Sequence, residues 1–96
     1  MDSLKWLERW YAAQCDGAWE HDEGIKITSL DNPGWYVTIN LIGTSLESAT
    51  LPVKRLDRTE SDWTHVRIEA GKFIGAGGPM NLEEVISIFR SISGQA

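Results

Sequence analysis

A single cysteine, Cys15, occurs in the 96 residues, so no disulfide can close within the chain. The stapled frameworks of small secreted domains are thereby excluded. Long apolar runs are missing too. The most apolar stretch, Val85–Ile86 with Ile88–Phe89 nearby, is broken by serines and Arg90, far short of the ~20 residues a membrane-spanning helix needs. The amino terminus lacks a cationic segment followed by an apolar stretch, so no export signal is visible. These absences point to a reducing cytoplasm. Cations are in the minority: nine Lys and Arg against 14 Asp and Glu leave a net charge of −5. Such a field repels nucleic acid and anionic lipid and favours cationic partners.

What is present suits one ordinary globular domain spanning residues 1–96. No low-complexity break divides it, and 42% hydrophobic with 24% charged residues is the usual soluble balance. Five tryptophans are many for this length. Each can bury about 150–250 Å², so a few could supply much of a thin core.

Ser3 is placed to cap a first helix, with Asp2 also near its positive end. Leu4, Leu7, Trp10 and Tyr11 recur at helical spacing opposite Lys5, Glu8 and Arg9, and Trp6 and Trp10 stack one turn apart. Asp16-Gly17 ends the helix. From Gly24 the period becomes two. Residues 25–42 read as a hairpin around Asn32-Pro33-Gly34, a type II turn signal, with Trp35, Val37, Ile39 and Leu41 facing one way. After a polar connection, residues 51–59 form a weaker strand that Pro52 confines to an edge or a bulge. Thr64, Val66 and Ile68 alternate in the next strand. Ala70-Gly71 then turns the chain into Lys72-Phe73-Ile74, and Gly75–Pro79 closes the sheet. Asn81 with Glu84 resembles a capping box, and Leu82, Val85, Ile86, Phe89 and Ile92 stripe a final helix that Gly94 ends. The expected fold is α+β: an N-terminal helix, about five antiparallel strands in a meander, and a C-terminal helix packed on the sheet.

The most distinctive segment is Gln14–Gly24, where Trp19 sits among Asp16, Glu20, His21, Asp22 and Glu23. An aromatic within concentrated negative charge suits recognition of a basic protein partner, Trp19 as anchor and the carboxylates pairing with Arg or Lys. Tyr36, and the face bearing Trp63, His65 and Arg67, could extend that surface. The competing expectation is a solvated turn with Trp19 folded back onto the sheet.

Other chemistry fits less well. Gly75-Ala76-Gly77-Gly78 lacks the lysine and hydroxyl of a phosphate loop. Cys15, His21 and His65 match no recurrent zinc spacing, so no metal and no cofactor is expected. Acidic surroundings suppress a Cys15 thiolate. Glu20, Asp22 and Glu23 share one wet environment, whereas paired acid–base catalysis needs two carboxyls in distinct ones, so a hydrolase using Glu20 and His21 ranks low. A small interaction or ligand-binding module is the other alternative. No catalytic residue is assigned.

The runs Leu4–Tyr11, Gln14–Gly17 and Trp19–His21 resemble the start of the immunity protein 53 family of bacterial polymorphic toxin systems. The resemblance continues through Gly24–Ile27, Leu30–Trp35, Gly75–Gly78 and Asn81–Glu84, covering nearly the whole chain. It implies an antitoxin that binds a cognate toxin domain and blocks it without catalysis. Composition places it in the cytoplasm, and a monomer is favoured while the sequence leaves the oligomeric state open. Many toxins of such systems are nucleases with basic grooves, which an acidic loop could occupy.

Overall fold

The computed structural model describes residues 3–22 and 24–94. Helix α1 (Ser3–Gln14) leads through a short 3-10 turn (Trp19–His21) into strands β1 (Ile25–Leu30), β2 (Gly34–Asn40), β3 (Lys54–Asp57), β4 (Trp63–Glu69) and β5 (Lys72–Gly77), followed by α2 (Leu82–Ile92). All strand pairs are antiparallel, so the α+β class stands as expected. Their order, β1-β2-β5-β4-β3, departs from a meander. The hairpin β1-β2 and the three-stranded unit β3-β4-β5 meet along β2 and β5, and residues 41–53 carry the chain to the far edge. Leu46 and Leu51 of that connection pack against the core, which keeps it on the helix-covered side.

Strand parity sets the two faces. Val37, Ile39, Val66 and Phe73 turn inward and are essentially fully buried, with Val85, Ile86 and Phe89 of α2 against them. The α2 stripe is as its spacing predicts. Helix α1 is rotated from expectation: Trp6 and Leu7 are buried and Trp10 is partly so, while Leu4 and Tyr11 are exposed. Two aromatics decide the phase, since Trp6 and Trp10 both pack on Phe89, at 5.8 and 5.0 Å between ring centroids. Ser3 lies buried at the helix start, its hydroxyl 3.0 Å from that of Ser87 on α2. Asp2 lies outside the described residues.

The glycines of residues 75–78 serve close approach. Gly75 and Gly77 belong to β5, and a Cβ on Gly75 would fall 2.5 Å from a Val85 methyl. Gly34 differs from the expected type II turn glycine. It opens β2 without a positive φ, and a Cβ there would meet the Gly77 carbonyl oxygen at 2.4 Å. The Ala70-Gly71 turn does need positive φ, at 55° and 76°, the signature of a type I′ hairpin. Asn81 makes no side-chain cap. Its side-chain oxygen accepts from the Trp63 N–H, and its side-chain amide donates to Asp62 and Glu84. Arg58 joins the same two carboxylates and ties the β3-β4 turn to α2.

Candidate functional site

The acidic loop is a hydrogen-bonded unit. Gly17, at φ +90°, reverses the chain after α1. The Asp16 carboxylate accepts from the backbone N–H groups of Ala18 and Trp19 at 2.9 and 3.0 Å. The two Glu20 oxygens accept from those of Asp16 and Gly17 at 2.9 and 2.8 Å. Each carboxylate thus fixes the segment that carries the other. The bonds stabilise the charged forms: Asp16 is held below the usual carboxylate range by Trp19 and then Ala18. Glu20 is held low by backbone donors, its own N–H first and then those of Asp16 and Gly17.

Trp19 corrects the exposed-anchor expectation. Its ring is 5% exposed, packed against Trp10 at 5.7 Å and Tyr11 at 5.6 Å. Its indole N–H donates to the Asn40 carbonyl at 2.9 Å. The 3-10 turn aims the ring into the gap between α1 and β2, where it finds both apolar cover and an acceptor. The Asn40 amide in turn donates to the Asp22 carbonyl at 3.0 Å, and its side-chain oxygen accepts from the Ile42 N–H. Asn40 therefore holds the loop from the end of β2. Its signal in the sequence is an amide set between Ile39 and Leu41 at the end of an apolar strand.

Asp16, Trp19, Glu20, His21 and Asp22 are brought together at this end of the sheet. The side chains of Asp16, His21 and Asp22 face solvent. Glu23 lies outside the described residues. Tyr36 is not part of the cluster. It shares the outward side of β2 with Asn40 but sits four residues away, roughly 13 Å along the strand.

Tyr36 belongs to a second surface, the sheet face that neither helix covers. The register sets Thr28, Tyr36, Ala76, His65 and Arg55 in one row, and Thr38, Ile74 and Arg67 in the next. Small Ala76 lies between Tyr36 and His65 in the first row. Trp63 stacks on His65 at 4.8 Å, His65 Nε2 is 2.8 Å from an Asp57 oxygen, and Arg67 donates to Glu69 at 2.7 Å. Tyrosine, tryptophan and arginine on one open face are the residue types that dominate binding energy at interfaces.

Among the described residues, no group of three or more His, Cys, Asp or Glu is placed to hold a metal. No helix among these residues is long and apolar enough to cross a membrane. The arrangement is that of a small α+β domain with an acidic loop at one end of its sheet and aromatic side chains on the sheet's open face. Residues 4–94 match the family described as immunity protein 53, and the chain belongs to that family. No curated protein and no solved structure matches the chain. Family membership carries an immunity role in general terms, with a toxin as partner.

Proposed function

We propose that the chain neutralises a cognate polymorphic-toxin domain in the cytoplasm of the producing cell by non-catalytic binding. The acidic loop of Asp16, Glu20, His21, Asp22 and Glu23 meets a basic groove, such as that of a nuclease, and Tyr36 with its neighbours on the open sheet face extends the contact. Trp19 acts from beneath, holding the loop. The observation that carries this reading is the reciprocal bonding of Asp16 and Glu20 to the loop backbone. A charge cluster ordered before binding loses little entropy on binding, so more of the interaction appears as affinity. The same bonds argue against a hydrolytic role for Glu20. A general acid at neutral pH needs a raised pKa, and here it is lowered.

Co-expression with the toxin encoded by the adjacent reading frame tests the proposal. Rescued growth and a co-purifying complex support it. Growth arrest with no complex refutes it.

A further inference from the structure

Strand β1 ends the sheet, and among the described residues nothing pairs with its outer side. The Asn40 N–H donates to the Gly24 carbonyl at 2.8 Å, which fixes the phase of the β1-β2 ladder. Residues 26, 28 and 30 then turn their backbone groups toward β2. Ile25, Ile27 and Ser29 turn their N–H and C=O groups outward. The side chains of Ile25 and Ile27 point to the helix side. With Leu4, Leu7, Glu8 and Tyr11 they line an apolar groove of about 200 Å³ beside this free edge. Its rim is open: Leu4 is 54%, Tyr11 39% and Ile27 36% exposed.

We infer that this edge receives a second copy of the chain, β1 against β1, antiparallel about a twofold axis at Ile27. In that register Ile27 opposes its own copy, Ile25 opposes Ser29, and Lys26 opposes Thr28. Every outward backbone group of Ile25, Ile27 and Ser29 gains a partner, and none of these three pairings within β1 sets like charges opposite one another. The groove's carboxylate, Glu8, is already paired with Lys5 at 3.4 Å. The helices fit the same arrangement. Helix α2 lies on β5 and β4 with α1 beside it, which sets α1 above β1 and β2. With strands about 4.8 Å apart, the axis brings α1 and its copy to on the order of 8–10 Å, the ordinary helix-packing distance. Leu4 and Tyr11 then close the groove from both sides. The result is a continuous ten-stranded sheet rather than the monomer expected from sequence. It draws on β1 and the outer side of α1 and uses neither the carboxylates of the acidic loop nor the open sheet face, so its test is separate from that of the toxin-binding proposal.

Two chains of charge −5 repel each other, so salt tightens this dimer, whereas it weakens association driven by opposite charges. Sedimentation velocity of the full chain over concentration and salt series tests the inference. The expected result is a reversible dimer strengthened by salt. Ile27→Lys and Ile27→Glu each raise the dissociation constant on the order of tenfold or more, and an equimolar mixture of the two re-associates because opposite charges then face across the axis. Ser29→Pro weakens the dimer as well, since it removes an outward N–H without touching the β1-β2 ladder, and circular dichroism reports that it remains folded. A monomer at every concentration and salt overturns the inference. So does a dimer indifferent to both Ile27→Lys and Ser29→Pro, and a mixture that stays apart removes the axis from Ile27.

Discussion

Trp19 and Asn40, 21 positions apart, hold the acidic loop to the sheet: the indole N–H donates to the Asn40 carbonyl at 2.9 Å in a buried setting. The Asn40 amide returns a bond to Asp22, three residues beyond Trp19. The most hydrophobic residue of the loop thus fixes its polar ones.

Trp19→Ala removes a buried ring and leaves the Asn40 carbonyl without its donor. Losing so large a side chain costs about 3–5 kcal/mol. Trp19→Phe keeps most of the packing and loses the bond, so it costs less, about 1–3 kcal/mol. Urea unfolding measures both. Equal stability of wild type and Trp19→Ala would contradict the placement of the ring.

Three carboxylates make acid the weak side of the protein. Asp16 and Glu20 are held low by backbone donors, and Asp62 by the Arg58 guanidinium and then the Asn81 amide. Each binds protons less readily folded than unfolded, so stability rises with pH across the acid range. Their contribution is complete above the ordinary carboxylate pKa of about 4 and is lost as pH falls through the lowered folded values. Urea midpoints measured from neutral pH downward should decline below about pH 4. Asp16→Asn should flatten that decline; an unchanged acid slope in this variant would remove Asp16 from the account.

Glycine substitutions should separate two costs. A Cβ on Gly78 would lie 2.2 Å from the Ser61 carbonyl oxygen, backbone that cannot step aside. Gly78→Ala should therefore destabilise by about 1–3 kcal/mol or more. Gly17 has nothing within 4 Å, so Gly17→Ala meets only the cost of its φ of +90°, about 1–2 kcal/mol. Thermal melts rank the pair. Gly17→Ala melting below Gly78→Ala would reverse the assignment.

Local pattern carried the elements further than their arrangement. The alternation of Val37, Ile39 and Leu41 and the stripe of Val85, Ile86 and Phe89 each name a buried face, because a period of two or 3.6 leaves one choice. Helix α1 offered two choices. Leu4, Trp6, Leu7, Trp10 and Tyr11 spread apolar surface around most of it, and only Phe89 and Ser87, some 80 residues on, select the Trp6 side. The β2-β5 pairing was hidden for the same reason. It depends on Gly34 lying against Gly77, a contact between two residues with no side chain to advertise it. At the candidate site, residue type marked the acidic loop but not the direction of its tryptophan. An indole beside carboxylates suits a partner's surface and a core equally, until Asn40 is known to wait beneath it.

The division of labour across the proposed interface yields the last prediction. Asp22 is exposed and engages Asn40 only through its backbone carbonyl, so Asp22→Lys changes the loop's charge without disturbing its scaffold. Against the cognate toxin it should slow association several-fold and flatten its salt dependence, with little change in dissociation, because long-range charge acts mainly on encounter. Tyr36→Ala and Trp63→Ala remove partly exposed aromatics from the open face, and should instead speed dissociation on the order of tenfold while sparing association. Glu20→Lys is the poorer probe: it abolishes the bonds to Asp16 and Gly17 and loosens the loop along with its charge. Stopped-flow kinetics over a salt series distinguishes the two surfaces. Identical rates for Asp22→Lys and wild type would take the acidic loop out of the interface, and unaltered dissociation in both aromatic variants would do the same for the sheet face.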